Sequence, residues 1–90
     1  MNDLIVVSVR EALKKKLYGR VNVQLREDDV LYVSIKDIKY DIYWHYNMYK
    51  ISEKISAGMS ISNICEWITK KYYDFLVENI VKARFFRKEA

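Results

Sequence analysis

The spacing of apolar side chains along this 90-residue chain changes twice, and each change marks a boundary between kinds of structure. Over residues 3–18, Ile5, Val6, Val9, Leu13 and Leu17 recur at helical spacing, which lines one side of an α-helix. Arg10, Glu11, Lys14 and Lys15 fall on the other side, with Glu11 four before Lys15 in the favourable order. Asp3 is placed to accept hydrogen bonds from the free backbone N–H groups at the start. Gly19 supplies a left-handed stop.

From Arg20 the interval is two. Val21, Val23 and Leu25 alternate with Asn22, Gln24 and Arg26, the pattern of a half-buried strand. After a polar turn at Glu27, Asp28 and Asp29, the residues Leu31, Val33 and Ile35 alternate with Tyr32, Ser34 and Lys36. A second turn is expected near residues 36–38, followed by Tyr40, Ile42, Trp44 and Tyr46 alternating with Asp41, Tyr43 and His45. Such short connections predict hairpins, hence an antiparallel meander.

Helical spacing then returns. Met48, Ile51 and Ile55 predict a short helix ending at Gly58. Ser60 or Ser62 opens a last helix, with Asn63 and Glu66 as a secondary capping pair. Its stripe is Ile61, Ile64, Ile68, Tyr72, Phe75, Leu76, Ile80 and Ala83, opposite a solvated row of Glu66, Lys70, Asp74, Glu78 and Lys82. Unbroken from Ser60 to Phe86, this helix would be roughly 40 Å long, so a bend or a projecting end used for association is expected. The fold class is therefore α+β, one domain over residues 1–90: a three-stranded antiparallel β-meander with helices packed on one face, order α-β-β-β-α-α.

An apolar fraction of 51% is that of a globular chain. No apolar run approaches the roughly 20 residues that span a bilayer, and Leu4 to Val7 is too short for a signal peptide. With a single cysteine, Cys65, no internal disulfide forms, which suits a reducing cytoplasm. The net charge of +4 counts against an acidic imitation of DNA and falls short of the clustered charge of a dedicated nucleic-acid binder.

Catalytic chemistry has few side chains to draw on. His45 alternates with the inward set of its strand and points away from the core, so it does not meet Cys65, which is expected to be a buried, inert thiol. Zinc would need more ligands than one histidine and one cysteine supply. The Glu27–Asp29 cluster lacks the spaced ligands and turn glycine of a calcium loop, and neither glycine belongs to a phosphate-binding loop. No catalytic, cofactor-binding or metal-binding residue is expected, and no enzyme.

Two surfaces offer binding instead. Trp67, Tyr73, Val77, Val81 and Phe85 lie off the main stripe of the last helix, a surplus that needs something to bury against. On the outward face of the sheet, tyrosines are interleaved with basic residues; Arg26, Lys36, Lys39 and Tyr43 are the candidates for holding nucleic acid. The basic run Lys82, Arg84, Phe85, Phe86, Arg87, Lys88 offers contact with a membrane surface or nucleic acid, though cations in the last turn of a helix are also expected from its dipole alone. The element order invites comparison with double-stranded-RNA-binding domains. Their lysine-rich start of the last helix is replaced here by Met59-Ser60-Ile61-Ser62-Asn63.

The segment from Ile51 through Gly58 and Ser60, running on through Ile68, Lys71, Tyr72 and Phe75 to Phe85 and Phe86, resembles small uncharacterised proteins of phages and prophages. Their hosts are low-GC Gram-positive bacteria, staphylococci among them. The shared pattern is a tyrosine-rich final strand, an I-x-x-G-x-S turn (Ile55 to Ser60) and a long helix ending in aromatics, covering Tyr40 to Phe86. The resemblance implies a phage gene expressed in a bacterial cytoplasm, and it carries over no functional residue. The expected function is a non-enzymatic phage accessory protein that binds another protein or itself through the helical surplus. The alternative is a small nucleic-acid-binding protein; no membrane and no metal partner is expected.

Overall fold

The computed structural model describes residues 2–17 and 19–81. The Asp3 side chain, Tyr18, the Val81 side chain and residues 82–90, Phe85 among them, lie outside the described residues, and with them the expectations placed there. The order is α1 (Asn2–Lys16), β1 (Arg20–Arg26), β2 (Val30–Asp37), β3 (Ile42–Tyr49), α2 (Ile51–Ser56), α3 (Ile61–Leu76) and a π-helical segment (Val77–Val81). The strands form one antiparallel sheet in the order β1-β2-β3, the expected α+β meander.

Alternation decides which side of the sheet is dry. Val21, Val23, Leu31, Val33, Ile35, Trp44 and Met48 point inward and are buried against Val9 and Leu13 of α1, Leu17 just past its end, and Ile64, Cys65, Ile68 and Tyr72 of α3. Helices cover this face alone, because only here does the period-two pattern present apolar side chains. Register follows from the same requirement: Val23 pairs with Val33 and Ile35 with Trp44, and a slip of one residue would turn every inward side chain to water.

Several boundaries differ from expectation, each for a physical reason. Met48 belongs to β3 and not to the following helix, since it opposes Leu31 and extends the inward row after Trp44 and Tyr46. The second turn spans residues 38–41. Tyr40 therefore lies in the turn, where its backbone N–H donates to Asp37 Oδ1 at 2.9 Å, and Asp41 takes a positive φ of 53°. Gly19 has φ 151°, outside the helix-stopping left-handed region, and a Cβ there would meet the Lys36 carbonyl oxygen at 2.5 Å. Its role is to let the chain pass close to the end of β2.

Of the two serines offered as caps for α3, Ser60 serves: its hydroxyl accepts from the Asn63 N–H at 3.1 Å. At the other end, α-helical bonding stops at Leu76 and the wider π pattern follows. Asn79 Nδ2 donates to the Phe75 carbonyl oxygen at 2.8 Å, a side-chain bond of the kind that competes with a helical ladder.

Candidate nucleic-acid interface

The wet face of the sheet is laid out by the strand register. Reading across β1, β2 and β3, its rows are Arg20–Lys36–Tyr43, Asn22–Ser34–His45, Gln24–Tyr32–Asn47 and Arg26–Val30–Tyr49. Three of these twelve positions are cationic, three are tyrosine, one is histidine and none is acidic. The acidic residues stand around it, Glu27 and Asp28 in the first turn and Asp41 in the second.

The aromatic side chains form a cluster. The Tyr32 and Tyr43 hydroxyls share a hydrogen bond at 3.1 Å. The His45 ring stacks on Tyr32 at 6.2 Å between centroids and meets Tyr43 edge-on at 6.0 Å. The Arg26 guanidinium lies 3.7 Å over the Tyr32 ring, a cation–π contact. The shared hydrogen bond separates the two phenols. That bond, helped by Ser34, holds Tyr43 below the usual tyrosine range, and the same bond, with some desolvation, raises Tyr32.

Ser34, expected on the solvated side, does lie on this face yet is only 6% exposed. Its small side chain sits in the rows between Tyr32, Tyr43 and His45, which overhang it. Of the four nucleic-acid candidates, Arg26, Lys36 and Tyr43 share this face. Lys39 does not: it lies in the second turn, 5.3 Å over the Tyr40 ring. Lys36 pairs with Asp41 at 3.3 Å, both well exposed, an arrangement of little net strength. Sequence reasoning passed over Arg20 and Tyr49. The alternation that placed Arg26 and Tyr43 outward would have placed Arg20 outward too, whereas Tyr49 required knowing that β3 continues past Tyr46.

The helical surplus is divided. Six residues at 100° each set Trp67 and Tyr73 120° apart around α3. Trp67 turns toward β3, its indole N–H donating to the Tyr46 hydroxyl at 2.8 Å with Lys71 5.0 Å over its ring. There it lines a depression of about 380 Å³ with Met48, Tyr49 and Met59. Tyr73 instead lines a groove of about 520 Å³ between Leu17 just past α1, the segment from Asp37 to Tyr40 and Leu76. Val77, 53% exposed, starts the π-helical segment one turn beyond Tyr73.

His45 is exposed on the sheet and Cys65 is 1% exposed in the core, its Sγ 4.0 Å from the Val9 carbonyl oxygen. They face opposite sides of the sheet. Among the described residues, no group of three His, Cys, Asp or Glu side chains is gathered as a metal ion would require. No helix among them is long and apolar enough to cross a membrane. Comparison with known proteins returns no match, whether to a family model, a curated protein or a solved structure.

Proposed function

We propose that this protein is a nucleic-acid-binding module, working by binding and not by catalysis, with the open sheet face as its contact surface. One observation supports the reading above the others: Arg20, Arg26 and Lys36 share one face with Tyr32, Tyr43, Tyr49 and His45, and none of its twelve outward positions is acidic, Asp41 reaching Lys36 from the second turn. Cations attract phosphate from a distance, and aromatic faces supply contact that tolerates any base. The setting implied by the family resemblance, a phage gene expressed in a bacterial cytoplasm, agrees with such a role. The test is retention on immobilised nucleic acid. Binding is expected at about 50 mM salt and should fall steeply by about 200 mM as counterions are released. A triple variant, Arg20→Gln, Arg26→Gln and Lys36→Gln, should lose it while melting like the parent. Absence of binding at low salt, or indifference to the triple variant, overturns the reading.

A second reading keeps the protein-binding role, because Trp67 and Tyr73 are 45% and 48% exposed on a helix whose core side is already filled. Charged residues in place of Trp67 and Val81 would then abolish association with another chain or with a second copy, leaving the domain folded. Unchanged mass in solution and unchanged partner binding in that variant would remove it.

A further inference from the structure

We infer that the ligand of the sheet face is a single strand, its bases stacking along β3 and its phosphates following β1; this rests on the nucleic-acid reading above. The two edge strands present different chemistry outward. The β3 column is Tyr43, His45, Asn47 and Tyr49, and the β1 column is Arg20, Asn22, Gln24 and Arg26. The columns are two strand spacings apart, about 10 Å, and Tyr43 and Tyr49 are separated by six residues of extended chain, about 20 Å.

Tyr43 and Tyr49 are 56% and 63% exposed, so each has ring surface to offer. Tyr32 has less, since the Arg26 guanidinium covers one part of it and the His45 ring another. Stacking on the β3 tyrosines requires a base whose face is uncovered, and in a duplex both faces are taken by neighbouring pairs. A major groove about 12 Å wide admits a helix or a two-stranded ribbon. A three-stranded face backed by helices does not enter it. Acidic residues border both ends of the track, Glu27 and Asp28 beside Arg26 and Asp41 paired with Lys36, so phosphate is held along the β1 column between them.

The experiment measures binding of labelled single strands and of the matching duplex, each about 12 nucleotides long and so within the usual site sizes, from about 50 to 200 mM salt. Single strands are expected to bind more tightly than duplex. The exposed pair Tyr43→Ala and Tyr49→Ala should weaken single-strand binding at least about fivefold with the salt slope unchanged. Arg20→Gln should lower that slope by about 0.7, and Asp28→Asn should tighten binding. Duplex bound as tightly as single strand, or tyrosine variants without effect beside a weakened Arg20→Gln, would overturn the single-strand assignment and leave the nucleic-acid reading standing. No binding of either form removes both.

Discussion

Tyr72 on α3 donates its hydroxyl to Asp37 Oδ2 at 3.1 Å, and so ties the longest helix to the end of the central strand. Both residues are buried, and the other Asp37 oxygen accepts from the Tyr40 N–H. One carboxylate thereby shapes the second turn and docks the helix over it. Tyr72→Phe would leave a buried oxygen short of a partner, at a cost of about 1–3 kcal/mol measured by urea unfolding.

The same pair predicts an alkaline weakness. Burial first, and then the Asp37 charge, push the Tyr72 phenol above its ordinary value of 10.0. The folded state therefore holds a proton that the unfolded chain releases. This contribution to stability is complete below pH 10 and drains away as pH rises beyond it. The parent should lose stability above that point more steeply than Tyr72→Phe, read from melting temperatures across the range. Equal slopes would count against the assignment.

Asp29 caps a helix from a distance. Lys50, at the start of α2, gives no side-chain cap. Instead the Asp29 carboxylate accepts from the Ser52 N–H at 3.0 Å and from the Ser52 hydroxyl at 2.7 Å, and its carbonyl oxygen accepts from the Ile51 N–H at 3.1 Å. Asp28 and Asp29 both have positive φ, so alanine carries a similar backbone penalty at either position. Asp29→Ala should be the more destabilising by about 1 kcal/mol, the usual worth of a cap. Equal unfolding midpoints would refute the capping role.

The two glycines are unequal. A Cβ on Gly19 would collide with the backbone of β2, whereas one on Gly58, at φ 106°, would meet nothing within 4 Å. Gly58→Ala is expected to cost about 1–2 kcal/mol through backbone conformation alone. Gly19→Ala should cost more, because the chain entering β1 and the end of β2 must move apart. The order of the two denaturation midpoints checks this.

Cys65 should be chemically silent in the folded protein. Burial pushes its thiol up, with only a small opposing pull from Lys16, and a protonated, enclosed thiol is a poor nucleophile. An aromatic disulfide reagent should react fully in denaturant and at least about a hundredfold more slowly in buffer, when opening requires a few kcal/mol. Fast reaction in buffer would show that α1 and α3 separate readily.

Periodicity in the sequence determined the element order, the antiparallel meander and the inward set Val23, Val33 and Trp44, because one buried face is compatible with one phase of alternation. It determined as well that His45 and Cys65 lie apart. What only tertiary structure decided were pairings between residues distant along the chain. The end of β3 was fixed by Leu31 and Val30 waiting opposite Met48 and Tyr49. The different surroundings of Trp67 and Tyr73 were fixed by which neighbours α3 packs against, and the burial of Ser34 by larger side chains of its own and the adjacent strand. Apolar period records which side of each element is dry, whereas contacts between elements depend on how their surfaces meet in space.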